Sequence, residues 1–332
     1  MPDNKRQHFL PRHYMRLFAD AEDMIGAASI TPYKFVGPTA LGKQCQSDYY
    51  YVNEEENPED EADKWISHVE RESAPLLRDI GRKFSMTGDE HVGMMMLAVI
   101  FLNRTRKAAE IGKLSAKWWA DVIIKDAIDR GELREPQGGW KPGMMDFKGT
   151  NSMLLRHCLF HPFFEMVTLN YKFLKPAEET GSSFVTSDNP VVVMNQLLDK
   201  RGSERSFAGF SRSGFQLVFP LGPECCLFFY DPKVYKVGGK NSSVVVLKPA
   251  DVELVNSLQV QSADKVLLFA PTTTKSGVGE LISKFSRFRQ SIDSHFQQWG
   301  EETGKETFVL HRGSQATLPS PWNFSRHSGN RK

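Results

Sequence analysis

Phe184-Val185-Thr186-Ser187-Asp188-Asn189-Pro190-Val191-Val192-Val193 reads as two short β-rich runs joined by a polar turn. Phe, Val and Thr suit a pleated strand, whereas Asp-Asn-Pro interrupts one. Towards the C-terminus the pattern recurs. Phe215–Phe219, Cys225–Tyr230 and Ser243–Leu247 are short β-rich runs separated by Gly, Pro and Asp, and Val266–Phe269 reads as one more strand. Helices are expected from Pro249 and over Gly277–Gln290.

Before this segment the apolar period changes to that of a helix. Trp65, Ile66, Val69, Ala74, Leu76, Leu77 and Ile80 mark one amphipathic helix, and Asp89 to about Ile111 a second, central one. Trp118, Trp119, Val122, Ile123 and Ile128 mark a third, ending near Gly131, and a loop follows over Pro136–Gly143. A fourth runs from about Asn151 towards Tyr171, bent at Pro162. Earlier still, Pro11 opens a short helix carrying Tyr14, Leu17 and Phe18, extended pieces lie around Tyr33–Gly37 and Ser47–Asn53, and Glu54–Glu61 is an acidic, solvated loop. Helices first and strands after predict an α+β fold, its N-terminal helical half packed on a mostly antiparallel sheet. The expected division is one large domain over 1–300, helical over 62–171 and sheet-rich over 172–270, with a flexible tail over 311–332.

Of the 332 residues, 40% are hydrophobic and 25% charged, which excludes a disordered chain. A formal charge of +2 creates no global field that demands a nucleic acid or a membrane. Met1–Gln7 has no apolar signal core, and the longest apolar run, Val92–Leu102, is half the roughly 20 residues of a membrane span. The four cysteines, Cys45, Cys158, Cys225 and Cys226, form no C-x-x-C, which excludes a zinc knuckle and favours reduced core thiols in a cytoplasmic protein.

Phosphate-loop, dinucleotide, nucleophile-elbow and zinc-protease motifs are all missing from the sequence. His157 and His161 stand at i and i+4, the spacing of a metal pair, but Pro162 and the surrounding Phe and Leu favour a core pair. Asp188 has two readings: a carboxylate satisfying local backbone donors, or one at a sheet rim that holds a metal or activates water. Lys200, Arg201, Arg205 and Arg212 bracket Phe207 and Phe210 in a Gly- and Ser-rich loop suited to phosphate contact. Lys284, Arg287 and Arg289 interleave with Phe285 and Phe288, whose helical spacing reads as a core stripe.

Five segments together carry a family resemblance: Gln7-His8-Phe9-Leu10-Pro11-Arg12-His13-Tyr14-Met15-Arg16-Leu17-Phe18, Asn103-Arg104-Thr105, Phe184 to Val191, Phe219-Pro220-Leu221-Gly222-Pro223, and Val255-Asn256 through Ala263-Asp264. In this order they resemble domain-of-unknown-function family 4238, mainly bacterial, over about residues 7–270. Met15, Gly222 and Arg106 depart from the family's usual Leu, Ser and Pro.

The resemblance implies that His8, Arg104, Asp188 and Asn256 belong to one site, joined by Glu72. The function expected of that site is hydrolysis of nucleic acid or nucleotides, as a nuclease or by N-glycosidic base excision, in a bacterial anti-phage defence effector. Asp188 with Glu72 would hold a divalent cation such as Mg, His8 would act as acid or base, and Arg104 would grip a phosphate. Without a metal, Asp188 and Asn189 would position water against a flipped nucleoside. Arg201, Arg205 and Arg212 would contact the strand. The alternative is a non-catalytic ligand- or protein-binding module in which the same polar cluster is structural.

Overall fold

The two β-rich runs that flank Asp188-Asn189-Pro190 fall into different sheets. The computed structural model describes residues 6–48, 50, 61–141, 143–145, 166–200, 212–289, 297–299, 307–309 and 322–327. Its strands are Arg6–His8 (β1), Met24–Ser29 (β2), Lys34–Ala40 (β3), Gln46–Asp48 (β4), Asn170–Pro176 (β5), Thr186–Ser187 (β6), Val192–Met194 (β7), Gln216–Gly222 (β8), Cys225–Tyr230 (β9), Tyr235–Val237 (β10), Val244–Leu247 (β11), Val266–Phe269 (β12), Gln297–Trp299 (β13), Thr307–Val309 (β14) and Ser325–His327 (β15). Its α-helices are Arg12–Met15 (α1), Glu61–Lys83 (α2), Gly88–Arg104 (α3), Arg106–Asp129 (α4), Gln196–Lys200 (α5), Pro249–Ser262 (α6) and Lys275–Phe285 (α7).

A five-stranded sheet runs β11-β5-β9-β8-β7, antiparallel except where β11 lies parallel to β5. A four-stranded antiparallel sheet runs β3-β2-β12-β6. The fold is α+β, as expected. The four-stranded sheet, however, takes two strands from before the helices, which composition alone did not reveal. Gly26 on β2 permits this pairing, because a Cβ there would stand 2.3 Å from the Phe269 ring.

Local chemistry sets the helix ends. Thr87 and Glu90 form a capping box at the start of α3. A single extended residue, Thr105, divides α3 from α4, and its hydroxyl caps α4 by accepting from Ala108 N at 3.2 Å. Met94, Met95, Leu97, Ala98 and Phe101 of α3 are buried against α1 and the five-stranded sheet. At their centre Tyr14 stacks on Phe219 at 5.5 Å and meets Phe101 edge-on at 5.1 Å.

Two expected boundaries are corrected. Tyr171 lies in β5, not in a helix, because Phe173 and Leu174, on opposite faces of a strand, are buried in two different apolar clusters. The remainder of the expected fourth helix lies mostly outside the described residues, as do His157, His161 and Cys158. The expected flexible tail over 311–332 is also corrected in its described part. Trp322 is 3% exposed and packs edge-on to Phe228 at 5.2 Å, and β15 pairs antiparallel with β10. An indole and a phenyl ring, Phe324, give this piece the apolar surface that anchors it.

Candidate functional site

Thr186 to Pro190 is the crossover between the two sheets, and every side chain able to hydrogen-bond there has a partner. Tyr14 Oη donates its one proton to the Pro220 carbonyl at 2.8 Å, so the contact with Thr186 Oγ1 at 2.7 Å has threonine as donor. Ser187 Oγ donates to Gln259 Oε1 at 3.0 Å, and Gln259 Nε2 donates to the Pro190 carbonyl at 2.9 Å. The Asp188 carboxylate accepts three backbone N–H bonds, from Asp264 at 2.8 Å, Lys265 at 2.8 Å and Val266 at 3.1 Å. Asn189 Oδ1 accepts from Thr105 Oγ1 at 2.9 Å, and Asn189 Nδ2 donates to Ser262 Oγ and carbonyl at 2.8 and 3.2 Å. These bonds tie the crossover to the C-terminus of α6 and the start of α4.

Asp188 is therefore a turn-stabilising carboxylate. It is 3% exposed, and burial pushes its carboxyl up to about 6 against the opposing pull of its three N–H donors. Its hydrogen bonds do not go to His8 or Arg104. Asn256, expected in the same centre, is spent in the same way: its Oδ1 accepts from Val185 N at 3.0 Å and its Nδ2 donates to the Ser183 carbonyl at 2.9 Å. Asn189, expected to orient water, has both ends of its amide engaged.

His8 and Arg104 do meet, through the backbone. Arg104 Nη2 donates to the His8 carbonyl at 3.0 Å and to Glu70 Oε1 at 2.7 Å. The guanidinium is 1% exposed, so Glu70 supplies the countercharge that makes its burial tolerable. Glu70 takes the position expected of Glu72, which instead points to solvent and sits 3.4 Å from Arg71. The cation pair assigned to Asp188 and Glu72 is thus not assembled, and no cluster of three metal-ligating side chains occurs among the described residues. His8 Nδ1 lies 3.0 Å from the Gln44 carbonyl, and burial lowers its pKa.

A residue that sequence reading passed over, His13, links this cluster to the surface. Its Nε2 is 3.2 Å from Ser73 Oγ, and burial lowers its pKa to about 4, with the nearby Glu70 charge opposing. The His13 ring lines a cleft of about 620 Å³ whose walls also carry Arg16 from the turn after α1, Arg78 and Arg82 from α2, and the β8–β9 turn with Glu224. Arg16 is held bidentately by Asp23, both bonds at 3.0 Å. Arg78 and Arg82, one helical turn apart, have no hydrogen-bond or ion-pair partner among the described residues. The i, i+4 spacing of the two arginines was a readable signal. Gly222, where the family resemblance carries Ser, lies in this wall with φ +148°, and a Cβ there would be 3.3 Å from the Leu17 carbonyl. Of the strand-contacting arginines expected in the Gly- and Ser-rich loop, Arg212 is exposed, and Arg201 and Arg205 lie outside the described residues. Cys45, Cys225 and Cys226 are buried free thiols. No helix among the described residues is long and apolar enough to cross a membrane.

Fold and site together define an α+β protein in which a saturated polar crossover locks two sheets to a helical layer, with a basic cleft beside it. Residues 152–273 match the family model described as "Protein of unknown function (DUF4238)". The matched span contains the crossover, the Phe219–Pro223 segment and the Asn256-to-Asp264 element; the His8, Arg104 and cleft-lining α2 residues precede it. No curated protein and no solved structure matches the chain.

Proposed function

We propose that the protein binds a phosphate-bearing ligand, a nucleotide or a nucleic-acid strand, in the cleft between α1, α2 and the β8–β9 turn. The observation that carries this reading is the pair Arg78 and Arg82, two guanidiniums without a partner among the described residues, beside Arg16 and His13 in a concave wall. Guanidinium is the side chain best matched to phosphate, since its planar fork donates two parallel bonds. The saturation of Asp188, Asn189 and Asn256 supports binding over the hydrolytic centre expected at those residues. In this reading the buried polar cluster is the scaffold that fixes α2 and the cleft wall.

A second reading, hydrolysis of the bound phosphoester in a defence effector, rests on His13. A neutral imidazole facing the Ser73 hydroxyl at the cleft wall is the one base–hydroxyl pair described beside the arginines. It would take the role first assigned to His8.

The test is fluorescence anisotropy with a labelled single-stranded oligonucleotide, competed with pyrophosphate. Arg78→Ala with Arg82→Ala should weaken binding about tenfold or more and reduce the salt slope by roughly 1.4, about 0.7 for each phosphate no longer neutralised. Unchanged affinity and slope would remove the cleft from consideration. His13→Ala that abolishes strand cleavage while binding persists would favour the second reading.

A further inference from the structure

A second cavity, of about 710 Å³, opens where β5, β9 and β10 end beside the first turns of α3. Its outer wall is the turn over 238–243. Gly238 has φ +58°, and a Cβ there would lie 2.6 Å from Val245 Cγ2, so only glycine closes the turn this tightly. From beneath, the Lys172 ammonium donates to the Gly239 carbonyl at 2.9 Å and to the Ser242 carbonyl. Ser242 Oγ donates to the Val244 carbonyl at 2.8 Å, and Gly238 N donates to the Phe324 carbonyl at 3.2 Å. The wall is thus fixed before any ligand arrives, which lowers the ordering cost of binding.

The lining has a one-sided charge. Lys172, Lys236 and Lys240 contribute three ammoniums, and among the described residues no Asp or Glu lines the cavity. Lys172 is buried and spent on the turn carbonyls, while Lys236 and Lys240 are exposed. On the opposite wall, Tyr171 has its hydroxyl fixed by the Met86 backbone at 3.1 and 3.3 Å, leaving a half-buried ring. The His91 ring stands 5.1 Å from the Tyr171 ring and stacks on Phe229 at 5.6 Å.

We propose that this cavity is a binding site for a small ring-bearing anion of the size of a nucleoside monophosphate, separate from the arginine cleft. Lys236 and Lys240 take the anionic group, in the field of Lys172. The ligand's ring lies against Tyr171 and His91. The volume falls in the range of small-molecule sites, and rigid walls with a few convergent polar groups are their usual composition.

The experiment is calorimetric titration of the full chain with each of the four common ribonucleoside monophosphates, and with inorganic phosphate. At least one nucleotide is expected to bind saturably and more tightly than phosphate. Lys236→Ala with Lys240→Ala, two exposed positions whose loss leaves the core intact, should weaken it about tenfold or more. His91→Ala, which removes one of the two rings, should weaken the nucleotide and leave any phosphate binding unchanged. All titrations are repeated in the Arg78→Ala, Arg82→Ala background, which removes the cleft's contribution and should leave the cavity's nucleotide binding in place. The proposal is overturned by three results: no saturable binding at millimolar nucleotide, nucleotide affinity equal to that of phosphate, or full affinity in the double lysine variant.

Discussion

Replacing Asp188 by Asn is the sharpest test of whether the crossover is scaffold or reaction centre. The carboxylate accepts from Asp264 N on one oxygen and from Lys265 N and Val266 N on the other. An amide has one accepting oxygen. Its best orientation keeps Lys265 and Val266 and turns an NH2 towards the Asp264 N–H, leaving that buried donor unsatisfied at a cost of about 1–3 kcal/mol. The two retained bonds also pass from a charged to a neutral acceptor and lose roughly half their strength. Against this, the neutral amide escapes the desolvation that pushes the carboxyl up to about 6. The balance is a loss of about 2–3 kcal/mol at pH 7, which for a domain this large lowers the melting temperature by roughly 3–4 °C. Differential scanning calorimetry at a fixed scan rate reads this directly. Asp188→Ala, which strands all three donors, should fall further. A variant that melts within about 1 °C of wild type while losing ligand binding or cleavage would refute the structural assignment and return Asp188 to the chemistry.

Three further outcomes follow from the same geometry. Glu70→Gln removes the carboxylate paired with the buried Arg104 guanidinium and should cost about 3–5 kcal/mol in urea unfolding, whereas Glu72→Gln, at an exposed site, should lie within about 0.5 kcal/mol of wild type; equal effects would contradict the ion pair. Trp322→Ala should cost about 3–5 kcal/mol by emptying the space beside Phe228, and a silent substitution would mean that the 322–327 segment does not dock. Burial depresses the His13 pKa from 6.5 to about 4, so the unfolded chain binds the extra proton in that window and stability falls as pH drops from 6.5 towards 4; His13→Gln should flatten the fall, and an identical pH profile in the variant would show that His13 titrates normally.

The α+β class was legible because period and propensity agreed: β-rich runs of four to six residues follow helices marked by a clear apolar stripe. The choice between Glu70 and Glu72 was also legible, although charge alone does not make it. Ile66, Ser73, Leu77 and Ile80 are buried on α2, and Glu70 falls on their stripe at i+4 from Ile66 and i+7 to Leu77. Glu72 lies about 200° round from Glu70. The role of Asp188 was not legible. Its three donors come from residues 264–266, and no local pattern around Asp-Asn-Pro announces that α6 will end against it. His13 was hidden for a similar reason, since Ser73 and Glu70 reach it from a helix about sixty residues away.

The place of β12 between β2 and β6 has a consequence for how the chain is made. The β2–β3 hairpin is synthesised early, but the strand that covers its open edge emerges about 240 residues later, roughly 10–50 s at ordinary elongation rates. Through that interval Ala27 and Ala28 present unpaired backbone beside an apolar face, the situation in which a nascent chain attracts chaperones or sticks to its neighbours. The same interlacing means that a fragment cut to residues 152–273 would keep β12 and lose β2, exposing Leu267 and Leu268 along a bare edge. Autonomy belongs to the interlaced chain, and the stretch that carries the family signature cannot be inherited as a free-standing part.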